Sequence, residues 1–332
     1  MRTATRIFSA LALAAASLCS LAPTSALAEA PRPLTQNSFW YRHMVGKFEV
    51  SALFDGQYPM DAFKALRNIK PQEIKDALDR TFRPTPTPTA VNVYLVNTVD
   101  KLILIDTGAS KVQGAHLGES QRHLREAGYD TRDVDIVLLT HLHPDHASGL
   151  MTPSGQPAYI NATIYVPKAE ADYWLNPDNE KKADDKEKAL FQLVRRALGP
   201  YDTVGRVKVF EGNEPIVPGI TPIPTPGHTP GHTSYLLESR NDRLLVWGDV
   251  VESGAVQFSK PQATMEGEFD EKGAVASRLK MFDLAAKDGK LVVAAAHMPY
   301  PGLGRVRKDG TGAKATYTWV PVDLGPLPYI EE

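Results

Sequence analysis

Apolar residues in this chain fall into short runs bounded by turn residues, with no single period sustained along its length. Phe48–Leu53 alternates enough to predict a strand, with Asp55-Gly56 as the turn that ends it. Val91–Val96 and Leu102–Ile105 predict two more strands, the second closing on Asp106-Thr107-Gly108. Leu117–Ala127 reads as a helix with Gly128 at its end. Val134–Leu139 is apolar throughout and too short for a helix, which predicts a buried strand. The second half repeats this grammar, with strands at Thr233–Leu237 and Leu244–Trp247, a helix over Ala274–Ala286 and a strand at Leu291–Ala295. A strand pair, a helix and a further strand in each half predict two similar α/β halves that share one core.

The connecting segments carry their own signals. Residues 29–45 read as a loose lead-in, Pro71–Asp79 as a helix with a first-turn proline, and Pro84–Pro88 as an extended linker. Between the halves, residues 168–198 read as a helical, charge-rich insertion over the pocket. Its mixed-sign run, residues 178–188, predicts a solvated helix face or loop.

Composition removes several classes. With 42% hydrophobic residues in 332, the chain can build a real core, which excludes wholesale disorder. A single cysteine excludes zinc ribbons, iron–sulfur clusters and disulfide scaffolds. A formal charge of −2 with no basic patch argues against nucleic acid as a partner. The N-terminus has the grammar of a secretory signal. Arg2 and Arg6 precede an apolar stretch over Ile7–Ala22, and Ala26-Leu27-Ala28 offers small residues for cleavage after Ala28. The stretch is short for a stable membrane anchor, there is no twin-arginine pair, and Leu18 before Cys19 is bulky for lipid attachment. The expectation is a periplasmic or secreted protein made of a signal peptide, residues 1–28, and one domain, residues 29–332.

The nine histidines carry the chemistry. Three lie in His141-Leu142-His143-Pro144-Asp145-His146, two in Gly227-His228-Thr229-Pro230-Gly231-His232, and one is His297. Each group follows an apolar strand, as does Asp249 after Leu244–Gly248, and strand-end loops of an α/β scaffold are where sites are built. Imidazole suits zinc and similar divalent ions, and carboxylate can bridge two of them. Three histidines and an aspartate within six residues cannot all reach one tetrahedral ion without distortion. Two adjacent ions relieve this, with His141 and His143 on one, and Asp145 and His146 on the other. His228 then completes the first set, His297 the second, and Asp249 bridges both. Two ions so placed share a water and lower its pKa, which makes a bridging hydroxide the expected nucleophile.

The stretch Thr140–His146 resembles the hallmark of the metallo-β-lactamase superfamily. That resemblance implies an αββα sandwich, two facing mixed sheets flanked by helices, with a site for two divalent metals, zinc foremost, at one edge. It also implies that His228 is a ligand while His232 supports, and that Asp106 orients the histidine loop from behind the ligands. Phe48-Glu49, Asp55-Gly56, Tyr94–Thr98, Ala255–Phe258 and Ala296–Gly302 are similar to the methyl parathion hydrolase group, which includes lactone and aryl-ester hydrolases. Trp174 and Phe191 match pocket-wall aromatics of that group. Gln113 departs from an aromatic there and Glu252 from an apolar residue; facing the cavity, they would make it more polar.

The resulting expectation is a dinuclear metallohydrolase of small lactones, aryl esters or phosphotriesters, with Asp145 also orienting the nucleophile and moving its proton. No separate general acid is evident, which favours a leaving group stable as an anion. The partner is a small molecule, and a homodimer is compatible with the look-alikes. The other readings are a β-lactam hydrolase, which would turn over nitrocefin, and a non-catalytic envelope protein that binds metal or ligand. Asp249 argues against the first, and the complete ligand set against the second.

Overall fold

The computed structural model describes residues 36–312 and 315–327. The expected signal peptide and its cleavage site lie outside the described residues.

The first half supplies strands β1 (Trp40–Val45), β2 (Phe48–Met60), β3 (Leu66–Arg67), β4 (Thr87–Asn97), β5 (Leu102–Ile105), β6 (Ile136–Leu138), β7 (Thr163–Pro167) and β8 (Val207–Phe210). The second supplies β9 (Ile220–Pro224), β10 (Thr233–Ser239), β11 (Asp242–Val246), β12 (Thr264–Met265), β13 (Val292–Ala294), β14 (Leu303–Asp309) and β15 (Thr316–Pro321). They form a seven-stranded sheet ordered β1-β2-β4-β5-β6-β7-β8, a six-stranded sheet ordered β15-β14-β13-β11-β10-β9, and a β3–β12 ribbon. Both large sheets are mixed: β5 to β8 run parallel, as do β11 and β13, while the remaining pairs are antiparallel.

Alternation along the strands explains the layers. Tyr94 and Val96 of β4, Ile103 and Ile105 of β5, Leu244 and Val246 of β11, and Val292 and Ala294 of β13 meet in one core between the sheets. Their neighbours Val93, Leu95, Leu102 and Leu104 face outward onto the helices Ser120–Glu126 and Asp185–Thr203. On the other side Leu245, Trp247 and Val293 pack against the helix Glu271–Lys287. Every central strand is therefore buried on both faces, which is why these segments read as unbroken apolar runs. The result is the αββα sandwich.

Three expectations need correction. Residues 40–45, within the expected lead-in, form edge strand β1 against β2. Thr87 and Pro88, assigned to the linker, already pair with Met60 and Pro59 at the start of β4. Asp55-Gly56 does not end β2 but marks a bulge within it, between Phe54 and Gly56. The bulge buries the Asp55 carboxylate, which accepts from the backbone N–H of Ala109 (2.9 Å), Gly118 (2.9 Å) and Ser120 (3.0 Å). Gly56 is required there, because its φ is +141° and a Cβ would stand 1.9 Å from the His116 carbonyl. The charge-rich insertion is three helices, Lys168–Trp174, Pro177–Lys182 and Asp185–Thr203.

Candidate metal centre

The parallel strands β5 and β6 end at the same edge, and so do β11 and β13. The loops that leave them carry Asp106, His141–His146, Asp249 and His297, so strand direction gathers each set at one edge of its sheet and the packing of the two sheets brings the sets together. Pro144, tolerated in a first turn, starts the short helix Pro144–Ala147 and folds Asp145 and His146 back toward His141.

The ligand atoms converge in two groups that share one residue. His141, His143, His228 and Asp249 each offer an atom within 4.8 Å of the others, as do Asp145, His146, Asp249 and His297. Oδ1 of Asp249 lies 3.0 Å from His146 Nε2, and its Oδ2 lies 3.2 Å from His297 Nε2 and 3.4 Å from His228 Nε2. His143 Nδ1 and His228 Nε2 stand 2.9 Å apart, and Asp145 Oδ2 lies 3.5 Å from His297 Nε2. Donors about 2.0–2.1 Å from a tetrahedral ion stand about 3.3 Å from one another, so these spacings suit metal ligation. Nε2 of His141, Nε2 of His146 and Oδ1 of Asp249 are buried with no hydrogen-bond partner, which also fits a bound cation.

Hydrogen bonds behind the rings hold the lone pairs inward. His146 Nδ1–H donates to Asp106 Oδ2 at 2.8 Å, and His297 Nδ1–H to the Ala90 carbonyl at 2.8 Å. His141 Nδ1 lies 3.0 Å from Thr140 Oγ1, which in turn donates to Asp106. His232 does not enter either group: its Nε2 accepts from the Asp249 backbone N–H at 2.9 Å and so positions the carboxylate that the two groups share. Gly248, at φ +58°, permits this approach, since a Cβ would stand 2.6 Å from that Nε2.

Electrostatics separates the rings. Burial holds His141 and His228 well below the usual imidazole range, and it lowers His232 to about 4. Burial also opposes the charging of His146 and His297. Even so, Asp249 and Asp145 beside them hold His146 well above its ordinary value and push His297 up to about 9.

Trp174, Glu252, Tyr58, Tyr173, Leu190 and Phe269 line a cavity of about 590 Å³ over this cluster. The Trp174 ring meets His143 edge-on at 5.7 Å. Phe191 does not reach the cavity: it is fully buried behind Trp174, 4.8 Å away, and its neighbour Leu190 takes the wall position. On the helix Asp185–Thr203, adjacent residues point in directions about 100° apart, and the face carrying Phe191, Val194 and Leu198 belongs to the core. Gln113 lines an adjoining lobe of about 400 Å³ with Tyr58, Leu117 and Asp145. Glu252 faces the main cavity, 3.4 Å from His228 Nδ1, and burial next to Asp249 pushes its carboxyl up to about 8.

The profile of the metallo-beta-lactamase superfamily matches residues 86–297, from β4 to the last histidine of the cluster. This chain belongs to that superfamily. Among solved superfamily structures it is similar to the hydrolase AbOPH, at 34% identity and TM-score 0.82, over 88% of this chain and all of that one. It is also similar to AidC, a dizinc quorum-quenching lactonase, at 26% identity and TM-score 0.78, over 87% and 100% of the two chains. An N-acyl homoserine lactonase of Bacillus sp is 27% identical over 221 residues, which cover 60% of this chain and 78% of that one. With a probable metallo-hydrolase of Methanocaldococcus jannaschii, 26% identical, the match covers 33% of this chain and half of that relative's length. The chain is a metal-dependent hydrolase of this superfamily.

Sequence reading missed Glu170. Fully buried, it accepts from the backbone N–H of Leu142 (3.0 Å) and Gly231 (2.7 Å) and from Trp174 Nε1 (3.0 Å), tying both histidine loops to the pocket wall. It also missed Asn92, whose side-chain amide donates to the carbonyls of Ala296 (3.0 Å) and Met298 (2.7 Å) on either side of His297. Neither residue lies near a motif. Asp106→Ala removes the acceptor behind His146, and the affinity for one of two metal equivalents is expected to fall about 10- to 100-fold. Titration of the apoprotein with zinc against a competing chelator checks this; two unchanged affinities would mean that His146 needs no orientation.

Proposed function

We propose that this protein hydrolyses compact, uncharged lactones or aryl esters at a two-zinc centre held by His141, His143 and His228, by Asp145, His146 and His297, and by the shared Asp249. Phosphotriester cleavage is a secondary activity of the same site. The observation that carries the reading is the pair of donor groups joined through one carboxylate at the floor of an aromatic-lined cavity. The similarity to a dizinc lactonase supports it. Bound there, two divalent ions would supply an activated water and Lewis acidity toward charge developing on oxygen.

The residues of the chain do the rest. Asp145, with its side chain 27% exposed, is the cluster carboxylate open to the cavity, so it can orient the attacking water and hold its proton. Trp174, Tyr173, Leu190 and Phe269 cover the apolar part of the substrate and exclude water. Tyr58, edge-on to His297 at 6.0 Å, keeps its phenol protonated, because burial and the nearby carboxylates raise it well above its usual range. It therefore faces substrate as a hydrogen-bond donor.

Initial rates of one zinc-reconstituted preparation on dihydrocoumarin and on a dimethyl aryl phosphotriester test the reading. The lactone is expected to turn over at least about tenfold faster, and both rates to vanish with chelator. Dominant phosphotriester turnover would reverse the substrate order, and nitrocefin as the best substrate would overturn the class.

A further inference from the structure

Resting on the hydrolase reading of the site, we propose that Tyr58 is a catalytic residue whose phenol O–H donates a hydrogen bond to the departing oxygen of the substrate. With that donor the site cleaves esters of ordinary alcohols as well as those of phenols.

The bulge in β2 aims this side chain. Leu53 pairs with Val93 and Tyr58 with Thr89, so the two lie on one face of the sheet. Without the extra residue at Asp55, strict alternation would turn Tyr58 to the face of Ala52, which belongs to the core between the sheets. Instead its ring packs beside Val91, Ala109 and Leu117 and stands edge-on to His297 at 6.0 Å. Tyr58 is half-buried and lines both the main cavity and the adjoining lobe, so a substrate in either can reach it. Among the described residues its hydroxyl makes no hydrogen bond.

Four residues line both spaces, Tyr58, His143, Asp145 and Leu190, and they mark the waist between them. Asp145 orients the attacking water there, so the attacked atom sits at the waist and the oxygen that departs from it is one bond away. Cleavage leaves one half of the substrate beside Gln113. The other half lies under Trp174 and Phe269, the latter on the 266–269 arch before the helix Glu271–Lys287. At the waist Leu190 offers no polar atom, Asp145 offers acceptors, and His143 belongs to the first donor group, while Tyr58 supplies a hydroxyl. As the water oxygen bonds to the attacked atom, the bond to the departing oxygen breaks and its electron pair stays on that oxygen. A proton from the water ends there, and Tyr58 keeps its own. Its hydrogen bond strengthens as charge builds on the departing oxygen, so it stabilises the transition state more than the bound ester. No histidine motif contains this donor; it comes from β2, far ahead of them in the chain.

The test compares 2-phenylethyl, phenyl and 4-nitrophenyl butyrate on the zinc-loaded enzyme and on Tyr58→Phe, with metal content and circular dichroism of the variant verified. From the first ester to the last, the departing oxygen leaves more readily as an anion. In Tyr58→Phe, kcat/KM is expected to fall about 10- to 100-fold on the 2-phenylethyl ester and under about threefold on the 4-nitrophenyl ester, with phenyl between. A residue that merely packed against His297 would lower all three alike. Equal losses on the three esters, or a loss under about threefold on the 2-phenylethyl ester, overturn the role. Calorimetry with 2-phenylethanol against propylbenzene reads donation without turnover. The preference of the natural enzyme for the alcohol should exceed that of Tyr58→Phe by about 3- to 10-fold. That difference with no ester cleaved would uphold the donor and sink the hydrolase reading. Chelator-sensitive cleavage with equal losses would do the opposite.

Discussion

Asp249→Ala is expected to lower kcat/KM at least about a thousandfold, which corresponds to about 4 kcal/mol of lost transition-state stabilisation. It should lose metal at the same time. The expectation follows from position: Asp249 is 4% exposed and is the one residue in both four-membered donor groups. Both its oxygens are used, Oδ1 toward His146 and Oδ2 toward His297, His228 and, at 3.7 Å, His141. Removing it leaves each group with three donors, the first with no carboxylate and the second with Asp145 alone. Metal analysis by mass spectrometry should find fewer than two equivalents after dialysis, where the natural protein is expected to retain two. Asp249→Asn preserves the shape and one oxygen, so it should keep more metal than the alanine variant and little more activity. Two retained equivalents with full activity in Asp249→Ala would refute the shared-ligand role.

The second large effect is on stability. Arg278→Met is expected to destabilise the fold by about 3–5 kcal/mol, the usual consequence of leaving one member of a buried charge pair alone. Arg278 is 1% exposed and donates to the carbonyls of Val250 (2.8 Å), Pro261 (2.9 Å) and Ala263 (2.8 Å), and to Glu268 Oε1. It thereby fastens the turn after Asp249 and the arch over the cavity to the helix Glu271–Lys287. Methionine fills the volume but strands the carbonyls of Val250 and Pro261 and a buried carboxylate, while the Ala263 carbonyl keeps Gln257 Nε2 at 3.2 Å. At a urea slope of about 3 kcal/mol/M the midpoint should fall by about 1–2 M, measured at one fixed excess of zinc so that linkage to metal is held constant. The double variant Arg278→Met/Glu268→Gln should recover part of the loss, since it removes the stranded charge. A single variant with an unshifted midpoint would show that water reaches these groups.

Several features were legible in order along the chain because their causes are local. The central strands announced themselves because burial on both faces requires unbroken apolar runs, and Val134–Leu139 and Leu244–Trp247 satisfy it. The histidine motif was legible because ligands on one tight loop must be close in sequence. The residues that join it in the cluster were legible by their place after strands: once β11 and β13 are parallel, Asp249 and His297 emerge at one edge.

Other features existed only after folding. That Leu190 and not Phe191 faces the cavity depends on how one helix is rotated against the core, and both faces of that helix carry apolar residues. The reach of β2 past Asp55-Gly56 was hidden because a bulge and a turn use the same residues. Which of them forms depends on the distant N–H groups of Ala109, Gly118 and Ser120, which the Asp55 carboxylate satisfies. Glu170, Asn92 and Arg278 act by ending the hydrogen-bonding needs of loops far away in sequence, and Arg278 holds the arch that carries Glu268. Sequence by itself determined the element periods, the two α/β halves and the residues able to offer donors to a cation, since these rest on residue type and on place after apolar runs, while the sandwich followed from resemblance to a family. Tertiary structure alone decided which side chains wall the cavity and which buried polar atoms remain without partners, since both depend on contacts between segments that no local pattern encodes.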